Sequence, residues 1–275
     1  MIKTLILYTY YVLFFEFSLI FRLSSKIFIK SNRYHLSNKN IINDRIDDFN
    51  KNGFCKFLLD NQSIDTFNLW NKRFKFLQSF QNKKFFSDII VNKSNVYFYA
   101  RSKLLMLLFF PESRNIIYNS SLYPVLKSIL GNSFSITDNL YTSKNYQSNK
   151  SNEVFSSFWH FDWRRHEKKW LRVMLYLSDQ EKQESLQCFD KKTSFYALKN
   201  KYFGRYEHSK LPDDLKDKYH SIDGKKGTAI IVNTADILHR AGDPVENKSR
   251  LTFFILLNSE KGWGDNNNFL LMPKV

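Results

Sequence analysis

After Gly131 the chain consists of short runs of β-branched and aromatic residues, each bounded by turn-type residues. Runs of this length and composition, repeated at short intervals, are typical of an all-β sandwich or barrel. We therefore expect a mainly β fold with flanking helices. The runs are SFSITDNLYTS (133–143), VFSSFWHFDW (154–163), WLRVMLYLSD (170–179), GTAIIVNT (227–234) and RLTFFILLNS (250–259).

The chain before this glycine is predicted to be mainly helical over residues 46–131. Residues 31–45 are polar and predict a linker. From 46 to 82 the pattern predicts a helix, a short strand and a second helix, because NKNG supplies a turn and an apolar period of 3.6 residues follows. The segment SLYPVLKSILG (121–131) predicts a short helix that ends at its glycine.

Composition limits the classes of function. The chain has 275 residues, 17% of them aromatic, which is enough for one large domain with a sizeable core. Its formal charge of +16 is spread along the chain and not gathered on one helical face, and no nucleic-acid-binding motif is present, so we expect no nucleic-acid partner. Only Cys55 and Cys188 occur, which excludes a disulfide framework and fits a reducing compartment.

The N-terminus leaves two interpretations open. Residues 5–21 form an apolar stretch that contains Glu16, so an insertion gain of roughly 4 kcal/mol is largely cancelled by that carboxylate. Residues 1–30 are therefore predicted to be either a membrane anchor or an apolar helix packed on the domain or lying at a membrane surface. Cationic residues follow the stretch, so the predicted location is cytoplasmic, free or attached to the cytoplasmic face of a membrane.

The motif FWHFDWRRH at 158–166 places His160 and Asp162 among aromatic rings. A carboxylate in such surroundings needs a partner or a metal, because burying an unpaired charge is costly. Residues at i and i+2 of a strand project from the same face, so this histidine and aspartate can reach one ion.

A second polar set follows in GTAIIVNTADILHRAGDPVENKSRLTFFILL at 227–257. Here a strand runs into His239, a turn follows, and the next strand opens with Arg250 and continues with Thr252 on the same face. Two imidazoles and one carboxylate are the set that binds iron(II) on one face and leaves other positions open. An arginine beside a hydroxyl suits a carboxylate.

These segments resemble the iron(II)/2-oxoglutarate-dependent oxygenases, and most closely their phytanoyl-CoA dioxygenase-like branch. FWHFD resembles the WHxD of that branch, LRVMLYLSD its apolar strand ending in Leu-x-Asp, and GTAIIVNTADILHRAG its strand and turn around the distal histidine. The resemblance covers residues 130–260 well and the N-terminal half only loosely. It implies a double-stranded β-helix (jelly-roll, cupin-like) core at about 132–260, within a single oxygenase domain at 46–275.

The resemblance also implies residue roles. His160, Asp162 and His239 would bind the metal, and Arg250 with Thr252 would bind the far carboxylate of 2-oxoglutarate. The cofactors would be iron(II), 2-oxoglutarate and oxygen, with ascorbate in support and with succinate and carbon dioxide released. The substrate would be a small molecule, lipid, acyl group or sugar.

Two comparisons with that branch refine the expected chemistry. After LRVMLYLSD the branch carries a Gly-Pro-rich turn, whereas this chain has QEKQESLQCFDKKTS, so its substrate handling differs. Halogenating relatives lack the metal-binding carboxylate. Because Asp162 is present, hydroxylation is expected over halogenation.

Several alternatives remain at this stage. His160 could be satisfied by Asp162 alone, and Arg250 could pair with an acid in the adjoining turn. His208 and His220 are predicted to face water, with a contact to the substrate as the alternative. A zinc hydrolytic site would use the same three ligands but gives the arginine no role. A non-catalytic jelly roll that binds a ligand or a membrane surface is the alternative from another class.

The last open feature is the polar stretch at 180–226, between the strand-like runs. It predicts a long irregular connection, commonly a binding loop or lid, whose aromatic residues pack within it.

Overall fold

The computed structural model describes residues 39–78, 95–99, 116–117, 121–131, 134–145, 157–162, 170–202, 204–242, 249–259 and 270–271. The predicted apolar segment at 5–21 lies outside these residues. No helix of the described part of the chain is both long and apolar enough to cross a membrane.

Helices precede and interrupt the strands. The helices are α1 (Lys39–Asn52), α2 (Asn61–Gln78), α3 (Leu122–Leu130), α4 (Lys191–Lys199) and α5 (Asp213–Lys216). The strands are β1 (Phe54–Leu58), β2 (Asn95–Tyr99), β3 (Phe134–Asn145), β4 (Trp170–Tyr176), β5 (Leu186–Cys188), β6 (His220–Ile222), β7 (Thr228–Val232), β8 (His239–Ala241), β9 (Ser249–Ser259) and β10 (Leu270–Leu271).

The described strands form two antiparallel sheets. The large sheet has the order β1-β7-β4-β9-β3-β10, with β2 also paired to β3, and the small sheet has the order β6-β5-β8. Apolar side chains from both sheets share one cluster, which contains Met174 and Ile230 of the large sheet and Leu186 and Ile222 of the small one. The two sheets therefore face each other, and the predicted jelly-roll core is confirmed.

Strand β4 illustrates how the large sheet separates two environments. Successive side chains of a strand point to opposite faces. Leu171, Val173 and Leu175 enter the cluster under the helices, whereas Met174 and Tyr176 enter the cluster between the sheets. The large sheet thus has an outer face buried by helices and an inner face turned to the small sheet.

The N-terminal helices cover the outer face. Phe67 and Trp70 of α2 are fully buried, and the ring centre of Trp70 lies 4.4 Å from that of Phe253 on β9. Helix α3 adds a buried stripe with Leu122 and Leu126 and ends at Gly131, whose φ of 98° is readily adopted by glycine. The helix–strand–helix order and the glycine stop agree with the sequence prediction.

One boundary differs from the sequence prediction. Helix α1 begins at Lys39, so the C-terminal part of the predicted linker at 31–45 is helical. The reason is an apolar stripe at helical spacing, because Ile42, Ile46 and Phe49 pack against the main core.

The prediction of a long irregular connection at 180–226 is wrong. This segment contributes β5 and β6, which are two of the three strands of the small sheet, together with α4 and α5. Strands of three residues are too short to give a recognisable alternation, so only pairing with a distant partner reveals them. The predicted strand at 154–163 is also irregular where it is described, since its pairing is limited to single bridges at Trp159 and His160.

We expect Trp70→Ala to destabilise the protein strongly. The substitution removes a fully buried indole between α2 and β9, and losses of this kind cost about 3–5 kcal/mol. Urea denaturation measures the effect. The control is Leu69→Ala on the same helix, where the side chain is 39% exposed. We expect this variant to lose much less free energy of unfolding than Trp70→Ala. Equal losses for the two variants would contradict the described packing.

Candidate functional site

The structure brings three sequence-predicted residues together between the sheets. His160, Asp162 and His239 each offer one ligand atom, and these atoms lie within 4.8 Å of one another. A pair of backbone hydrogen bonds joins the two segments, because His160 N donates to His239 O (2.9 Å) and His239 N donates to His160 O (3.0 Å). This bridge extends the small sheet beyond β8, so the ligand set lies at the edge of that sheet.

Each imidazole is held by its own backbone. His160 Nδ1 lies 2.7 Å from Phe158 O, and His239 Nδ1 lies 2.9 Å from Ile237 O. A carbonyl oxygen only accepts, so Nδ1 carries the hydrogen in both rings and Nε2 keeps its lone pair. Both rings are therefore oriented to bind a cation through Nε2.

Both imidazoles are neutral in these surroundings. Burial, followed by the neighbouring His239, lowers the pKa of His160 to about 3. Burial likewise lowers the pKa of His239, against the raising effect of Asp162. Neutral imidazole is the form that binds metals, so no proton has to be displaced from Nε2 at neutral pH.

Asp162 is ionised and divides its two oxygens between different neighbours. Oδ1 lies 3.7 Å from His160 Nε2, and Oδ2 lies 2.9 Å from an Nη of Arg172. Burial raises the pKa of this carboxyl, but the guanidinium and the imidazoles outweigh burial and leave its pKa at about 2. The backbone N–H of Asp162 donates to Thr234 O (2.9 Å), which fixes the chain at this point.

Arg250 is buried on the inner face of β9 and reaches the small sheet. One Nη of Arg250 donates to Glu184 O (2.8 Å) and to Gly242 O (2.9 Å). Gly242 follows β8, three residues after His239, which is about 10 Å of extended backbone. The guanidinium therefore lies at the far end of the same short strand that begins with the candidate ligand.

Thr252 lies two residues further along β9 and is also buried. Its hydroxyl oxygen accepts a hydrogen bond of 3.0 Å from Gln180 Nε2, and Gln180 is itself buried and bridged to Gly224 through the backbone. In register, Thr252 lies opposite Tyr176 of β4, and Phe254 opposite Met174. The structure thus gathers the sequence-predicted arginine and threonine on the inner face, as alternation along the strand requires.

Aromatic packing supports the segment that carries the metal ligands. Trp159 is fully buried, its backbone pairs with Tyr206, and its ring lies 4.7 Å from the Phe189 ring, centre to centre. Its indole N–H donates to His208 Nδ1 (3.2 Å). His208 is half-buried and accepts this hydrogen bond, so it faces water only in part. His220 is exposed, as predicted.

Sequence reasoning allowed Arg172 a contact with the co-substrate or substrate, but it predicted neither the pairing of Arg172 with Asp162 nor the contact of Gln180 with Thr252. The position of Arg172 on the inward-facing side of β4 is readable from alternation, but its carboxylate partner is ten residues earlier on an irregular segment. Gln180 carries no sequence signal at all. The acids of the turn before β9, considered as partners of Arg250, lie outside the described residues.

Comparison with known proteins identifies the fold. No family model matches the chain, and no curated protein sequence matches it. Solved structures do match. The epimerase SnoN in complex with Fe3+, alpha ketoglutarate and nogalamycin RO has a TM-score of 0.55 at 10% identity, over 81% of this chain and 85% of that chain.

Two further structures have the same architecture. HygX from Streptomyces hygroscopicus, with nickel and 2-oxoglutarate bound, has a TM-score of 0.52 at 11% identity, over 79% of this chain and 87% of that one. EctD from S. alaskensis, with 2-oxoglutarate and 5-hydroxyectoine, has a TM-score of 0.53 at 13% identity, over 83% of this chain and 78% of that one. This chain has the jelly-roll fold of these iron/2-oxoglutarate enzymes.

We expect Tyr176→Phe to loosen the contact between the two sheets. The hydroxyl of Tyr176 donates to Ile222 O (2.7 Å) and accepts from Leu186 N (3.1 Å). Removing it leaves a buried N–H without its acceptor, which costs about 1–3 kcal/mol. Hydrogen exchange of the Leu186 amide measures the effect. Unchanged protection of that amide would contradict this role of the hydroxyl.

Proposed function

We propose that this chain is a non-haem iron(II)- and 2-oxoglutarate-dependent oxygenase. The observation that carries the proposal is the set of two buried histidines, His160 and His239, and the half-buried Asp162, whose ligand atoms lie within 4.8 Å of one another on this fold. In the proposed enzyme these three residues hold the metal. Each imidazole would bind through Nε2 and the carboxylate through Oδ1, the oxygen turned towards His160.

The donor set fits iron(II). Two neutral imidazoles and a single carboxylate on one face leave open positions for a chelating co-substrate and oxygen. When bound, iron with 2-oxoglutarate and oxygen supplies an oxidant that removes hydrogen from a C–H bond, with succinate and carbon dioxide as co-products. The chain's own contribution is to orient the ligands through the Nδ1 hydrogen bonds and to exclude water.

Arg250 and Thr252 are proposed to bind the far carboxylate of 2-oxoglutarate. The backbone from His239 to Gly242, which Arg250 contacts, is about 10 Å long. A five-carbon dicarboxylate with a metal–oxygen bond at one end and a hydrogen bond at the other has a similar length, about 10 Å. A zinc hydrolase would use the same three ligands but would leave this buried cation without a function.

We infer hydroxylation of a small molecule as the reaction. Halogenating relatives lack a metal-binding carboxylate at the position of Asp162. The presence of this aspartate therefore favours hydroxylation over halogenation. SnoN is an epimerase and SnoK a carbocyclase, so this fold supports more than one outcome. Products therefore have to be identified by mass, in a screen of lipid, acyl, sugar and small-molecule substrates for succinate release.

The organisation of the chain is also proposed. We propose one oxygenase domain over 46–275, with the helical part at 46–131 and the jelly roll at about 132–260. The domain is proposed to lie in the cytoplasm, either free or attached through residues 5–21 to the cytoplasmic face of a membrane.

We expect His160→Ala and Asp162→Ala to abolish divalent-metal binding and 2-oxoglutarate turnover. Each substitution removes one of three ligands from the proposed centre. Calorimetric titration with cobalt(II), and succinate formation with iron(II) and ascorbate, measure the two effects. His220→Ala is the matched control, since this exposed histidine lies outside the cluster. Wild-type cobalt affinity in both ligand variants would contradict the assignment and favour the non-catalytic jelly roll.

We expect Arg250→Lys to weaken 2-oxoglutarate binding by at least about tenfold, because lysine keeps the charge but loses the planar fork that grips a carboxylate. Cobalt affinity should stay at the wild-type level, since Arg250 contacts Gly242, which lies about 10 Å of extended backbone beyond His239. Titration of the cobalt-loaded protein with 2-oxoglutarate measures the change. An unchanged 2-oxoglutarate affinity would remove Arg250 from this role.

A further inference from the structure

Arg172 is a cation set directly beside the candidate metal ligands. It lies on β4, one of its Nη atoms is 2.9 Å from Asp162 Oδ2, and its guanidinium carbon is 5.6 Å from the centre of the Phe254 ring. Its side chain is 27% exposed and that of Asp162 14%, so the pair is only partly screened by solvent. The contact leaves Oδ1 of the aspartate for a metal.

The charges around the candidate ligands do not favour a cation. Asp162 is the acidic residue among the three candidate ligands. The guanidinium of Arg172, 2.9 Å from Asp162 Oδ2, balances the negative charge of that carboxylate. The described side chains therefore give a divalent ion three ligand atoms but no net negative charge.

Arg172 has opposite effects on the binding of a metal cation and on the binding of an anion. A guanidinium near the metal position repels a dication and attracts an anion, and both effects are strong at short range in a partly buried site. With Arg172 present, a bound dication and the Asp162–Arg172 pair together carry a charge of +2. With a neutral residue in its place, the same group would carry +1.

We propose that Arg172 makes the metal centre selective for anionic ligands. Its positive charge lowers the affinity of the protein for the metal ion and raises the affinity of the metal-loaded protein for 2-oxoglutarate or another anionic oxygen ligand. The inference rests on the proposed function. It makes Arg172 a specificity-determining residue that acts by its charge. A purely structural role would predict that its loss weakens both kinds of binding.

The test uses the full chain with Arg172→Gln, Arg172→Met and Arg172→Lys. Calorimetry measures two constants for each protein, the dissociation constant of cobalt(II) from the unloaded protein and that of 2-oxoglutarate from the cobalt-loaded protein. We expect Arg172→Gln to bind cobalt at least about tenfold more tightly and 2-oxoglutarate at least about tenfold more weakly. Arg172→Lys, which keeps the charge, should lie close to wild type in both constants.

Arg172→Met and a control variant guard against effects on folding. Arg172→Met keeps much of the hydrocarbon chain that contacts Phe254, so it replaces the glutamine variant if thermal unfolding shows that the latter is not folded. Arg45→Gln is the matched control, because Arg45 pairs with Asp48 on α1 and lies outside the site. It should leave both constants unchanged.

The outcomes separate the two proposals. A wild-type protein that binds neither cobalt nor 2-oxoglutarate contradicts the proposed function. If wild type binds both, the inference about Arg172 fails when the neutral variants shift the two constants in the same direction or not at all. It also fails when Arg172→Lys behaves like Arg172→Gln, since charge would then not be the cause.

Discussion

The candidate site depends on the backbone pairing of His160 with His239. Two reciprocal hydrogen bonds of 2.9 and 3.0 Å join segments that are far apart in the chain, and they bring the two rings to 4.5 Å between centres. Closing so long a loop costs entropy, and no single pair of hydrogen bonds compensates for it. The surrounding packing does so, because Trp159 and Leu238, the neighbours of these histidines, lie in one buried hydrophobic cluster.

The large sheet separates the main hydrophobic core from the candidate functional site. Its outer face is apolar and covered by α1, α2 and α3, while its inner face carries Arg172, Arg250 and Thr252 among apolar neighbours. Alternation along β4 and β9 makes this division possible, since adjacent residues serve opposite faces. Polar groups can then be concentrated between the sheets without weakening the main core.

Polar groups between the sheets are held by specific partners. The imidazoles donate to their own chain, Asp162 pairs with Arg172, and Arg250 donates to two carbonyls. Such contacts offset the cost of burying charge and leave Nε2 of each histidine and Oδ1 of the aspartate facing one another. The two arginines lie towards different ends of the interior. Arg172 is beside the candidate metal position, whereas Arg250 is placed to bind a more distant carboxylate.

The sequence by itself determined the long strands, the described helices before Gly131 and which residues form the candidate ligand set, because periodic patterns and local motifs are visible along the chain. It did not determine the small sheet between 180 and 226, the partner of His208, or the pairing of Arg172 with Asp162. Those features are decided by contacts between distant segments. Three-residue strands and single ion pairs leave no periodic trace in a sequence, so only the tertiary structure, which brings the two sheets face to face, establishes them.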